Sequence, residues 1–111
     1  MQLRIDFGDP IIPKEDVLKL QPADLNDFYA DASDFDKGNL FFVLLTSLHF
    51  YEEQGLKLLA AHLNYLAAYY LFVTLTPPGS CHLALYYIKK ALELNPLPEY
   101  EEWLNLIKKG N

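Results

Sequence analysis

Cysteine occurs once in this chain, at Cys81. A single thiol excludes an internal disulfide and suits a reducing compartment, so the expected location is cytoplasmic and the fold must rest on packing. Basic residues are also scarce: nine Lys and Arg stand against fifteen Asp and Glu, a net charge of −6. No basic patch is present to neutralise phosphates, which argues against nucleic acid as a partner and against anionic membrane surfaces. The chain opens Met1-Gln2-Leu3-Arg4-Ile5-Asp6, which has no charged-then-apolar leader pattern. Uninterrupted apolar runs of membrane-spanning length are missing too. The best candidate, residues 56–75, carries Lys57, His62 and Asn64, with Pro77-Pro78 close behind. A span wants ~20 nearly unbroken apolar residues, so none is expected. His-Glu-x-x-His, Glu-x-x-His and other catalytic signatures are absent. The chain reads as no enzyme, with no cofactor and no metal.

What the sequence does hold is apolar and aromatic. Hydrophobic residues make up 51% of the 111, and eight Tyr with seven Phe argue against disorder. One domain of this length can bury a core without staples. The charge is uneven. Residues 1–36 hold nine acids against Arg4, Lys14 and Lys19, so the whole net charge sits in the first third.

Leu3, Ile5 and Phe7 alternate with polar neighbours, a strand period too short to stand alone. An extended arm lying on a helical body is expected. Proline at Pro13 and at Pro22, each followed by acids, suits a helix start. Leu25, Phe28, Tyr29 and Ala32 then recur at helical spacing, which predicts a short amphipathic helix over residues 22–32. Residues 33–39 (Ser-Asp-Phe-Asp-Lys-Gly-Asn) read as a loop by composition, with Asp36 or Asn39 as the next N-cap. A calcium-loop reading from Asp34 fails, because Gly38, Asn39 and Leu45 fall where an oxygen ligand, Gly and Glu are needed.

Residues 40–53 and 56–75 are apolar nearly all round, so both helices should be central. Gly55 separates them, and so short a link forces them antiparallel. Ser80 is the expected cap of a third helix ending at Asn95-Pro96. Pro98 opens a last helix, with Glu99, Glu101 and Glu102 first and Lys108-Lys109 last, as the helix dipole favours.

Residues 80–109 resemble the second helix of a tetratricopeptide repeat followed by a capping helix. The motif positions fall on Ala84, Ile88, Ala91 and Pro96, and the ending Ala91-Leu92-Glu93-Leu94-Asn95-Pro96 is similar to the family's. Leu63, Leu66-Ala67 and Tyr70 follow the order of the first helix. Ala67 and Ala84 lie 17 residues apart, about five more than a 34-residue repeat would have, and the surplus falls near residues 74–79. The resemblance implies antiparallel helical hairpins and a peptide-binding groove, lined here by Asn64, Tyr65, Ala68 and Tyr69.

Three further clusters hold chemically capable side chains. His49, Glu52, Glu53 and His62 could face one another across two helices, but a metal site needs a further ligand and a supporting shell. Surface histidines beside acids are the plainer reading. Cys81 and His82 are adjacent, so they point about 100° apart and do not form a nucleophile pair. Asp24, Asp27 and Asp31 form an acidic face that is either solvated or turned to a basic partner.

The expectation is an all-α domain: an acidic N-terminal arm and short helix over residues 1–36, packed on a four-helix body over residues 37–111. Its function would be non-catalytic binding of another protein or peptide. The alternatives are a self-associating homodimer and a small acidic inhibitor or immunity-type protein that masks a basic partner.

Overall fold

The computed structural model describes residues 1–110, and they are all-α. Six α-helices form: α1 (Lys14–Val17), α2 (Pro22–Asp31), α3 (Asp34–Glu53), α4 (Lys57–Tyr69), α5 (Ser80–Leu94) and α6 (Pro98–Lys109). A π-helical segment, Tyr70–Leu75, continues α4. No strand forms among the described residues.

The helix starts are written locally. Gln21 and Asp24 exchange side-chain and backbone hydrogen bonds at the head of α2, and Pro22 takes the first helical position. At α3, Ser33 is the cap, its Oγ accepting from the Asp36 N–H at 3.1 Å. The expected loop over residues 33–39 is therefore helix from Asp34 on. Asp34 and Asp36 occupy the first turn, where the dipole favours acids, and Gly38 is carried along by that cap. Residues 34–36, grouped by sequence with the N-terminal arm, belong to α3.

Two other boundaries differ from expectation. Gly79, in the left-handed region at φ 78°, caps α5, and Ser80 is its first residue. The run over residues 56–75 is not one uniform helix. After Tyr69 it rewinds, and the Thr76 N–H closes on the Leu71 carbonyl at 3.1 Å, five residues back. A π-turn takes up an extra residue without ending the helix.

Gly55 terminates α3 at φ 74°, with the Leu56 N–H reaching back to the Tyr51 carbonyl at 3.0 Å. This turn folds α4 back along α3. From there α4 packs on α3 and on α5, and α5 packs on α6. Leu44, Leu63, Leu66, Tyr70 and Ile88 are fully buried at the centre. Ala60, Ala61, Ala67, Ala84 and Ala91 are sealed as well, and their small side chains let the helices approach closely. Lys57–Leu75 is long and apolar enough to cross a membrane, but 61% of that run is buried inside this fold.

The N-terminal segment is fastened at four points. The Met1 ammonium donates to Asp24 at 2.9 Å. The Ile12 N–H donates to Ser47 Oγ at 2.9 Å, and the Tyr51 hydroxyl donates to the Ile12 carbonyl. His62 Nε2 lies 2.7 Å from the Leu20 carbonyl. Leu3 and Ile5 pack on the core while Phe7 stays outside.

Candidate functional site

The four positions expected to line a groove on α4 do not share an open face. Ala68 is 1% exposed. Tyr65 lies under α6, its hydroxyl 3.0 Å from Glu99 Oε1 and its ring 5.2 Å from that of Tyr100. Burial and the neighbouring carboxylate push its phenol well above the ordinary range. Tyr100 is buried in the same contact and pushed up to about 12. Tyr69 sits edge-on to Trp103, and its hydroxyl accepts from Asn26 Nδ2 at 2.8 Å. Asn26 Oδ1 in turn accepts from Thr74 at 2.6 Å, so α2 ties down the π-helical segment. The surfaces of α2 and α6 thus cover this side of α4 within the chain.

Only Asn64 of the four reaches an open feature. It is 1% exposed and forms the floor of a cleft of about 530 Å³ between α3, α4 and α5. The walls are Leu48, His49, Glu52 and Glu53 from α3, and Tyr86, Tyr87 and Lys90 from α5. Asn64 Nδ2 donates to the Ala60 carbonyl at 2.8 Å. Lys90 Nζ lies 3.0 Å from Glu52 and 3.9 Å from Glu93, and the Glu52 carboxylate raises its pKa. Glu53 has no ion-pair partner among the described residues. The Tyr86 and Tyr87 rings stand perpendicular, 5.1 Å apart.

His62 is not part of this cleft. It faces Leu20 and Tyr65, so the sequence cluster of His49, Glu52, Glu53 and His62 is split between two environments. No group of three or more His, Cys, Asp or Glu is placed to hold a metal among the described residues.

A second surface was not singled out by sequence. Phe7, Phe35 and Phe42 are 70%, 72% and 63% exposed. Phe7 stacks on Phe35 with centroids 6.5 Å apart. Phe7 and Phe42 both line a shallow groove of about 180 Å³ with Ile5, Pro10, Val43 and Thr46. Asp6 lies in that groove and Asp34 precedes Phe35. The signal was present in the spacing: Phe35, Phe42, Thr46, His49 and Glu53 recur on one stripe of a helix. The loop-like composition of residues 33–39 masks its first member, Phe35.

The acidic face of α2 borders a third depression, about 490 Å³, lined by Asp24, Asp27, Asp31 and Asp36. Asp24 is committed to the N-terminus. Burial would raise its pKa, but the Met1 ammonium and the Gln21 N–H outweigh that and lower it.

Comparison with protein-family models, with curated proteins and with solved structures finds no match to this chain.

Proposed function

We propose that this chain is a non-catalytic protein-interaction domain, built of tetratricopeptide-like antiparallel hairpins with an acidic N-terminal arm. The observation that carries the reading is the aromatic patch of Phe7, Phe35 and Phe42. Monomeric proteins seldom leave contiguous large apolar groups in water unless a partner covers them. Three phenylalanines at 63–72% exposure, joined by a stack and a shared groove, meet that description. The hairpin reading is supported by the succession of packed neighbours from α3 to α6 and by buried Ala67, Ala84 and Ala91.

The partner's chemistry follows from the rim. Asp6 lines the groove, Asp34, 3.6 Å from Lys37, precedes Phe35, and the whole chain carries −6. A second copy would bring acids against acids, so the patch suits a polypeptide with apolar anchors beside basic residues. Selection from a random phage-displayed peptide library tests this. Enrichment of peptides pairing aromatic or aliphatic residues with Arg or Lys is expected, and the Phe35→Ser/Phe42→Ser variant should lose it. A concentration-dependent dimer in light scattering, abolished by the same variant, would replace this reading with self-association.

A further inference from the structure

We propose that the cleft between α3, α4 and α5 is a receptor for a cationic side chain, and for the guanidinium of an arginine in particular. The first observation is the floor. Asn64 uses its Nδ2 on Ala60, and no donor reaches its Oδ1 among the described residues. No buried side-chain oxygen is left sealed without a partner, so this oxygen opens on the cleft. It is a fixed acceptor, 99% withdrawn from water with the rest of its residue, waiting at the bottom of a cavity.

The second observation is the wall. Two perpendicular tyrosine rings line it, and the face of an aromatic ring attracts cations electrostatically. Tyr87 is held in place edge-on to Phe41, centroids 6.1 Å apart. The third is the charge. Glu52 is engaged by Lys90, whereas Glu53 is free of ion pairs among the described residues, leaving the lining at −1 with histidine neutral. An anion would meet two carboxylates and an acceptor oxygen. Lys90, the single Lys or Arg of the lining, is already bracketed by Glu52 and Glu93. A guanidinium brings five N–H donors and a flat face, which suit an amide oxygen, a carboxylate and tyrosine rings together.

The cleft and the aromatic patch both draw residues from α3. Phe42, His49 and Glu53 share one stripe of α3. At 1.5 Å per residue, Phe42 and Glu53 are about 16 Å apart along the axis. An extended peptide covers that in about five residues at ~3.3 Å each. The arginine therefore lies about five residues from an apolar anchor. Only this last spacing rests on the interaction reading given above; the chemistry of the cleft stands apart from it.

The test uses the full chain and a small probe. Nα-acetyl-arginine amide is titrated into ¹⁵N-labelled protein and followed by NMR. Saturable shifts are expected at the Asn64 side-chain amide and at the backbone of Glu53, Tyr86 and Tyr87. The uncharged citrulline analogue should bind about tenfold more weakly or not at all, since it keeps the shape and loses the charge. Glu53→Gln, an exposed change that leaves packing intact, should weaken arginine by a similar factor. Phe35→Ser/Phe42→Ser should leave arginine binding unchanged, which separates this site from the patch. Equal binding of citrulline, no saturable shift in wild type, or tighter binding of Nα-acetyl-glutamate amide would each overturn the proposal.

Discussion

Removing one oxygen, in Ser47→Ala, tests how the N-terminal segment is held. Ser47 is completely buried in α3, and its Oγ takes the Ile12 N–H at 2.9 Å. Tyr51, one turn along and 3% exposed, takes the other side of the same residue by donating to the Ile12 carbonyl. Ile12 is 6% exposed, so water cannot readily replace the lost partner. A buried donor left without an acceptor costs about 1–3 kcal/mol, more than the ~1 kcal/mol net worth of an ordinary hydrogen bond. The methyl that remains fills most of the space, so no large cavity adds to the loss. With a urea slope of about 2 kcal/mol/M for a chain this size, the midpoint should fall by about 1 M. Tyr51→Phe should weaken the same junction, and the two changes should not add, because they share Ile12. Amide exchange should then rise at Ile12 and toward Val17 more than in α5. A midpoint unchanged within ~0.2 M would refute the clamp.

Three further outcomes follow from particular residues. Gly38→Ala should stabilise by about 0.5–1 kcal/mol, because Gly38 lies inside α3 with open space at its Cβ, whereas Gly55→Ala should destabilise by about 1 kcal/mol at φ 74°. Chemical denaturation of both variants reads the opposite signs, and a loss at Gly38 would return residues 34–39 to a loop. Stability should also decline below about pH 6.5. Burial holds His62 below its ordinary 6.5, against the Leu20 carbonyl and Glu99, which pull it up. The unfolded chain thus takes the proton first, and stability drops from pH 6.5 toward the lower folded value by at most about 1.4 kcal/mol per pH unit. His62→Gln should flatten the denaturation profile in that window; an identical slope would remove His62 as the cause. Asp24, whose pKa is also lowered but in favour of its charged form, supplies stability that is present above its ordinary 3.8 and is lost as pH falls below it.

The C-terminal half was the most legible part of the sequence. Asn95-Pro96 and Pro98 punctuate the chain, and the helices Ser80–Leu94 and Pro98–Lys109 stop and start where those residues require. The beginning of α3 was not legible from composition. Asp, Gly and Asn suggested a loop, but a single Ser33 cap with two acids in the first turn outweighs one glycine. The rewinding at Tyr70–Leu75 has no residue signature, since it depends on how α2 and α5 grip that segment. The candidate surface was half visible. Asn64 is expected in a groove only through the tetratricopeptide resemblance, and it lines the cleft between α3, α4 and α5. Tyr65, Ala68 and Tyr69 were named with it, and α2 and α6 turned out to cover that side. The pairing of Lys90 with Glu52 of α3 is a tertiary fact that spacing along one helix does not encode.

The most direct measurement is calorimetric titration of a library-selected, apolar-plus-arginine peptide into the wild-type chain and into Phe35→Ser/Phe42→Ser. The two phenylalanines are 72% and 63% exposed, so the variant should keep its unfolding midpoint to within about 0.5 kcal/mol of stability. Its affinity should fall at least about tenfold, as expected for anchors at the centre of an interface. Equal affinity for both proteins, with folding intact, would show that the exposed aromatic stripe of α3 is not where this domain meets its partner.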